Sequence, residues 1–314
     1  MRVTQQMLAN SVSQNLRNNL NSLEKKSNQL SMGKQFDRPS QDPTGTYKVM
    51  GLTKIDLARN EQSQRNINEG ISWMTATEDV LEESKEAVHR LRELAIYTAS
   101  DSMTDEDREK AASEVKEIKE HLVGLANTEM RGLYLFGGHN TEEKPYQFTN
   151  DGNEGNNNNL EYKGDDGERE VEIAPGQEVK INITGEEAFG EIKNEDENGE
   201  NSLFDTVEEM HKSLSIENEE YGKDNLDKII GELDDHLDNL LQKRSELGAR
   251  MERFYSTEDR LHDENINLKE MRSNVEDLDM AEAITEYNML ENAFQAALAT
   301  GARMVQPSLV DFLN

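Results

Sequence analysis

The sequence predicts a mainly α-helical fold with a small β insertion. We expect an elongated rod of long antiparallel coiled-coil helices from both chain halves, capped by a β-rich outer domain. Three observations support this prediction: heptad spacing in both halves, loss of that spacing in the middle, and a content of only 34% hydrophobic and 5% aromatic residues. So lean a composition suits thin cores that run along helix seams.

The longest heptad pattern lies between Leu226 and Leu268. Alternating steps of four and three residues keep one stripe of a helix facing a partner helix. Ten of the thirteen positions visited are apolar, and no Pro interrupts them. At ~1.5 Å per residue the predicted helix is roughly 65 Å long. The thirteen positions are Leu226, Ile230, Leu233, Leu237, Leu240, Arg244, Leu247, Met251, Phe254, Glu258, Leu261, Asn265 and Leu268.

Two more long helices are predicted in the first half of the chain. The first ends near residues 97–103, and Thr104 with Asp107 forms the signature of a capping box that opens the second. Their apolar stripes are Ile67, Ile71, Met74, Leu81, Val88, Leu91 and Ala95, followed by Ala111, Val115, Ile118, Leu122 and Leu125.

Both chain ends show the same spacing, and the C-terminal end is almost free of charge. From Met289 to Asn314 only Glu291, Arg303 and Asp311 are charged, in a chain of which 32% is charged. Because an exposed apolar surface of this size marks a partner site, we predict an assembly interface. Its residues are Leu16, Leu20, Leu23, Leu30, Ala283, Tyr287, Leu290, Phe294, Ala297, Met304, Leu309 and Phe312.

The middle of the chain predicts short strands with tight turns. Between residues 133 and 183, short apolar runs alternate with Gly, Asn and Asp, and "EVKINI" alternates as one face of a strand does. Residues 186–200 hold seven acidic residues and one Lys, which predicts a solvated acidic loop. The predicted domains are therefore assembly helices at 1–42 and 278–314, a helical rod at 43–132 and 203–277, and a β-rich outer domain at 133–202.

Charge and targeting signals narrow the class of protein. A formal net charge of −31 argues against nucleic acid and against an anionic membrane surface as partners. No apolar run of about 18 residues predicts a membrane span, and the N-terminus lacks the apolar core of a secretory signal peptide. The absence of Cys fits either a chain that needs no disulfides or one exported unfolded through a channel.

The sequence contains no recognisable catalytic or cofactor-binding motif, so we predict neither an enzyme nor a cofactor. The six His residues are scattered along the chain. One weak calcium-loop pattern places Asn194, Asp196, Asn198 and Asp205 at ligand positions one, three, five and twelve. Position one is usually Asp and position twelve usually Glu, so a solvated acidic loop is the favoured interpretation.

Three segments resemble the flagellin superfamily. They are "DRPSQDPTGTYKVMGL" (Asp37 to Leu52), the stretch that begins "QRNINEGISW" (Gln64 to Ile96), and "SNVEDLDMAEAITEYNMLENAFQAAL" (Ser273 to Leu298). The resemblance spans roughly the first 140 and the last 110 residues. Two further segments, "ANTEMRGLYLFGGHNTEEKPY" and the terminal "PSLVDFLN", are similar to the superfamily members of the hook–filament junction rather than to filament flagellin.

The resemblance implies a secreted structural adaptor that joins the hook, through the first hook-associated protein, to the flagellin filament. It implies self-assembly into a ring, an extracellular position at the hook–filament junction, export by the flagellar type III apparatus and an export chaperone on the C-terminal helix. We expect residues 1 to about 40 and about 280 to 314 to be disordered in the monomer, because isolated helices are marginal in water. The alternatives are filament flagellin and a non-flagellar, calcium-regulated coiled-coil binding module.

Overall fold

The computed structural model describes residues 5–99, 104–150, 158–192, 201–215 and 223–305. In these residues the fold is mainly α-helical, with long helices from both chain halves and three small antiparallel strand pairs, so the predicted fold class is confirmed. The chain forms two compact units, one of residues 1–61 with 263–314 and one of residues 62–262. The predicted domain boundaries at 42 and 278 concern a functional division and stay a prediction.

The first unit contains the terminal helices α1 (Gln5–Met32) and α8 (Met280–Val305), which pack against each other. It also contains α2 (Pro43–Met50), the π-helical turn Gly51–Leu57, the start of α3 (Ala58–Thr98) and the end of α7 (Lys223–Glu276). The two long helices meet inside this unit, where the Asn265 side-chain amide donates to Asn60 Oδ1 at 3.3 Å.

The turn before α2 requires the specific residues Asp42, Pro43 and Gly45. The Asp42 carboxylate accepts hydrogen bonds from the backbone N–H groups of Thr44 and Gly45, at 3.1 and 3.0 Å, and Pro43 occupies the first helical position. A Cβ on Gly45 would lie 2.8 Å from Cε1 of the buried Phe36. Glycine therefore lets α2 approach this aromatic ring.

The second unit is built on the helices α3, α4 (Asp105–Ala126) and α7. The predicted seam of α7 is confirmed, because its apolar members are buried or half-buried from Leu226 to Leu261. The Thr104 hydroxyl accepts a hydrogen bond from the Asp107 N–H at 3.3 Å, as predicted for the start of α4. The Asp107 carboxylate, however, contacts the Thr104 hydroxyl at 2.7 Å rather than its backbone.

Six short strands form three antiparallel pairs in the middle of the chain. They are β1 (Glu129–Met130) with β2 (Leu133–Tyr134), β3 (Tyr146–Asn150) with β4 (Asn158–Tyr162), and β5 (Glu170–Ala174) with β6 (Gln177–Lys180). Tyr146 lies opposite Tyr162 in the second pair, and Glu170 opposite Lys180 in the third. Strands of this length need an apolar layer against one face to be stable.

Five aromatic side chains supply that layer, and two short helices contribute to it. The helices are α5 (Gly185–Phe189) and α6 (Leu203–Leu214), each opened by a capping box. The rings stack in edge-on and tilted contacts, with centroids 4.9 Å apart for Tyr146 and Phe204 and 5.2 Å apart for Phe136 and Phe189. The full set is Phe136, Tyr146, Tyr162, Phe189 and Phe204.

The prediction of a solvated loop over residues 186–200 is wrong at its start. Residues up to Phe189 form α5, and Ala188 and Phe189 are buried. The Thr184–Glu187 capping box satisfies the first backbone N–H groups of α5. Together with the burial of Ala188 and Phe189, it stabilises a helix here despite the acidic composition. Residues 193–200 lie outside the described residues. Among those described, no helix is both long enough and apolar enough to cross a membrane.

Candidate assembly interface

The helices α1 and α8 pack against each other along one line of contact, which we call the seam. Its geometry determines which side chains of the two helices remain exposed for partners. At the far end of α8, a Cβ on Gly301 would lie 2.9 Å from Val12 Cγ1 and 4.0 Å from Leu16 Cδ1, so glycine permits the close approach of the two helices. Further along, the Lys26 ammonium forms an ion pair with the Glu286 carboxylate. The seam therefore combines thin apolar packing with a polar contact at its edge.

A short set of backbone hydrogen bonds fixes the position of the start of α8 relative to the end of α1. Gly33 ends α1 with φ of 69° and donates its N–H to the Gln29 carbonyl at 2.8 Å. Its carbonyl accepts from the Leu278 N–H at 3.0 Å, and the Gln35 N–H donates to the Glu276 carbonyl at 2.8 Å. These bonds flank an antiparallel bridge between residues 34 and 277, which sets the register of the α1–α8 pair.

The start of α8 is capped by Asp279, whose carboxylate accepts from the N–H groups of Ala281 and Glu282 at 2.9 and 3.1 Å. A carboxylate at this position satisfies free donors and complements the helix dipole. The segment "DLDMAE" therefore ends α7 and starts α8, so that α8 can change direction and pack along α1.

Most of the predicted interface residues lie in this seam. In α8, Ala283 is buried, and four others are half-buried: Tyr287, Leu290, Phe294 and Ala297. In α1, Leu16, Leu23 and Leu30 are half-buried. Met304 belongs to the last turn of α8, and its side chain is not described. Leu309 and Phe312 lie outside the described residues.

Leu20 differs from the other predicted residues of α1, because its side chain is 50% exposed and theirs are half-buried. The seam on α1 instead runs through half-buried Asn19 and Lys26, and it includes Val12. Sequence reasoning missed Val12 and Gly301, although continuing the four-and-three steps from Leu16 and Ala297 reaches both. Polar residues at seam positions hid the true phase of α1.

The α1–α8 pair exposes several large apolar side chains, and the exposed surface of α8 carries few charges, whereas that of α1 is mostly polar. Met7 and Met289 are each 64% exposed, and Leu298 is 46% exposed. Between residues 287 and 302 of α8 only Glu291 is charged. A helix that is apolar on faces beyond its own seam is typical of one that is buried by further partners.

The weak calcium pattern gains no support from its described member. Asp205 is the third residue of α6, and its carboxylate accepts from the Ser202 hydroxyl at 2.6 Å and the Ser202 N–H at 3.2 Å. The other three, Asn194, Asp196 and Asn198, lie outside the described residues. Within the part of the chain that the structure describes, no three His, Asp or Glu side chains converge as metal ligands.

Family models match both halves of this helical framework. The bacterial flagellin N-terminal helical region matches residues 3–141, and the bacterial flagellin C-terminal helical region matches residues 230–313. Together the two matches cover both terminal helices and most of the long helices between them. The chain belongs to the flagellin superfamily. Its predicted family is thereby confirmed.

Relatives of this flagellin-superfamily chain extend over nearly its full length. Flagellar hook-associated protein 3 of Salmonella typhimurium is 26% identical over 324 residues, which cover 98% of each chain. Flagellin of Bacillus subtilis is 24% identical over 315 residues, again with 98% of each chain covered. The solved structure of flagellar hook associated protein-3 from Legionella pneumophila has a TM-score of 0.62 at 18% identity, over 72% of this chain and 98% of its own.

Proposed function

We propose that this chain is the structural adaptor of the hook–filament junction, placed between the first hook-associated protein and the flagellin filament. Its similarity to flagellar hook-associated protein 3 over 98% of both chains supports this role. The carrying observation is helix α8, which exposes apolar side chains such as Met289 and Leu298 and few charges in a chain of net charge −31. Such a surface needs partners in the assembled structure.

In this proposal the terminal helices become stable only when neighbouring subunits complete the seam. Most seam residues are half-buried, so two helices alone bury little apolar surface. Assembly then couples folding to binding, which keeps the free chain soluble and suited to export through the flagellar type III apparatus. An export chaperone on α8 would cover the apolar surface before assembly.

Hydrogen exchange on the purified free chain tests this coupling. We expect fast exchange in residues 1–42 and 278–314, and slow exchange in the buried turns of α3 and α7, which serve as the internal reference. Strong protection of both terminal segments in the free chain would contradict coupled folding.

Substitution of a seam residue tests the interface itself. Leu290→Asp or Phe294→Asp places a charge in the seam, so we expect loss of incorporation into flagella while the second unit stays folded. Leu241→Asp is the matched control, because Leu241 is 47% exposed on α7 in the second unit. A Leu290→Asp chain that still assembles and supports motility would count against α8 as the assembly element.

The second candidate is filament flagellin, which the similarity to flagellin of Bacillus subtilis favours. Position on the flagellum separates the two functions. Gold-labelled antibody on isolated flagella is expected to bind one short band at the hook–filament joint. Label along the whole filament would establish the flagellin function instead, and absence of label from flagella would exclude both.

A further inference from the structure

Charge is distributed unequally along the chain. Residues 1–65 contain ten Lys and Arg against five Asp and Glu, whereas residues 66–314 contain 24 against 60. The N-terminal segment is therefore basic inside a strongly acidic protein. Such asymmetry points to electrostatic pairing between different parts of the molecule or of its copies.

Three exposed positive charges of this segment lie on one run of helix from α2 to the start of α3. Lys48, Lys54 and Arg59 are exposed, and none of them has an ion pair among the described residues. Two further cations are paired inside their own unit, since Lys26 binds Glu286 and Lys34 binds Glu276, whereas Arg17 and Lys25 are exposed on α1. Between residues 43 and 60 only one acidic residue, Asp56, offsets them.

The same run of helix also exposes large apolar side chains. Tyr47 is 79% exposed, Met50 is 50% exposed and Ile55 is 57% exposed. The π-helical turn Gly51–Leu57 contributes to this arrangement, because a π turn holds one residue more than an α turn. Met50 lies seven residues before the buried Leu57, so a continuous α-helix would place the two side chains on the same face. We call residues 47–59 with these exposed side chains the basic face.

A groove of opposite charge lies in the second unit, between α3 and α4. It has a volume of about 390 Å³ and an apolar floor that includes Ala87 and Ile118. Its rims include Glu83, Glu86, Glu114 and Glu117. We call this feature the acidic groove.

Two carboxylates of the acidic groove are available to a partner. Glu114 is engaged with Arg90 at 2.7 Å, and Glu83 lies 3.3 Å from the His121 ring. Glu86 and Glu117 are exposed and have no ion pair within the described chain. The groove therefore offers free negative charge beside an apolar floor, as the basic face offers free positive charge beside apolar side chains.

We propose that the basic face of one copy docks into the acidic groove of the next copy when subunits assemble. The two surfaces match in sign and in their mixture of charged and apolar groups, and both are exposed in the described chain. Two different patches make a head-to-tail contact, which generates a ring or a helix of copies rather than a closed dimer. This inference rests on the proposed function, because it specifies how subunits of that assembly touch.

Disulfide trapping tests the contact directly, since the chain contains no Cys. Cells that lack their own copy are given a chain carrying both Lys54→Cys and Glu86→Cys, and isolated flagella are oxidised. We expect a ladder of linked subunits, because each copy links to two neighbours. The pair Lys25→Cys with Glu86→Cys is the matched control, since Lys25 is also exposed but lies on α1 outside the basic face.

Charge reversal and rescue provide the second arm. In the background of the two cysteines, Lys48→Glu with Arg59→Glu is expected to lower the yield of linked subunits at least about tenfold, and Glu117→Lys with Glu114→Lys on the same chain to restore it to within about threefold. Far-ultraviolet circular dichroism of each purified chain checks that it stays folded.

Each outcome of these experiments is decisive. Subunits present at the joint that give no ladder, or give only dimers, overturn this contact and leave the proposed function standing. Reversal without rescue also overturns the proposed pairing. If the chain without substitutions is absent from flagella, the proposed function fails, and this inference fails with it.

Discussion

At the scale of single residues, the two tyrosines of the aromatic cluster differ in one respect. The Tyr162 hydroxyl donates to the Phe136 carbonyl at 2.8 Å, whereas the buried Tyr146 hydroxyl has no hydrogen-bond partner among the described residues. Burial is the first cause that raises the pKa of Tyr162 to about 12, and it raises that of Tyr146 well above its ordinary value. Both hydroxyls are therefore protonated at neutral pH.

This difference predicts opposite effects of one substitution. Tyr162→Phe removes the bond from its hydroxyl to the Phe136 carbonyl, which keeps only the Gly185 N–H as donor at 3.0 Å, so we expect the free energy of unfolding to fall by about 1 kcal/mol. Tyr146→Phe removes an unsatisfied buried hydroxyl, so the free energy of unfolding is expected to stay the same or rise by up to about 1 kcal/mol. Urea unfolding of the two variants measures both, and an equal loss in each would show that the Tyr146 hydroxyl is bonded.

Glu232 predicts a pH dependence at the same scale. Burial alone would raise its pKa, but hydrogen bonds from Lys228, Thr206 and Asn201 outweigh burial and lower the pKa below its ordinary value. A folded-state pKa below the unfolded one stabilises the fold above the unfolded pKa, and this contribution is lost as the pH falls through the folded value. Glu232 therefore stabilises the second unit at neutral pH and not in strong acid.

We expect Glu232→Gln to lower the free energy of unfolding by about 1 kcal/mol at pH 7, and the difference to shrink as the pH falls. Urea titrations at pH 7, 5 and 3 compare the variant with the parent chain. Glu120→Gln removes the same charge from an exposed position on α4 and is expected to change little at any pH. A Glu232→Gln deficit that persists unchanged at pH 3 would mean that the side chain acts through shape rather than charge.

At the scale of elements, the long helices could be predicted because one rule decides them. The four-and-three spacing of α7 requires only apolar residues at seam positions, and Leu233, Leu247 and Phe254 are buried as that spacing demands. In α1 the same rule placed Leu20 in the seam, where the structure has Asn19. Two polar residues at seam positions were enough to hide the phase of α1 from an argument based on hydrophobicity alone.

The short elements were harder to predict from the sequence, because their stability comes from tertiary contacts. Helix α5 is five residues long and lies in acidic sequence, yet Phe189 enters the aromatic cluster that Phe136 and Tyr146 form from distant parts of the chain. No local sequence pattern predicts that packing. The proposed charge pairing of the basic face with the acidic groove could not be predicted from the sequence either. It depends on which charges remain unpaired once ion pairs have formed inside the folded units.

Helix packing yields a prediction at this scale for two glycines. Gly70 on α3 faces Phe254 of α7 so closely that a Cβ would overlap its ring, whereas a Cβ on Gly248 of α7 would meet nothing within 4 Å. Gly70→Ala is expected to lower the free energy of unfolding by about 1–3 kcal/mol, because the buried ring cannot move away. Gly248→Ala is expected to raise it by about 0.5–1 kcal/mol through helix propensity. Urea unfolding decides, and stabilisation by both would show that α3 and α7 can separate slightly at no cost.

At the scale of the whole molecule, like charges dominate the second unit. Residues 62–262 contain 22 Lys and Arg against 50 Asp and Glu. Some cations link helices, as in the Arg92–Asp234 and Lys119–Glu208 pairs at 2.5 and 2.6 Å. Surface pairs of this kind contribute about 0–1 kcal/mol each, and they leave most carboxylates without a counterion from the chain. Repulsion among those carboxylates therefore opposes folding at low salt.

Salt is predicted to stabilise the second unit for this reason. Raising NaCl from 0.01 to 1 M shortens the screening length from about 30 to about 3 Å, which removes repulsion between distant carboxylates while close ion pairs lose less. We expect the unfolding midpoint to rise by about 5 °C, equivalent to about 1–2 kcal/mol for a unit of this size. Thermal scans in NaCl and in KCl at equal ionic strength should agree, because screening does not depend on the identity of the cation. A midpoint that falls with salt would show instead that the helix-linking ion pairs outweigh the repulsion, and that the acidic surface is already balanced in the folded chain.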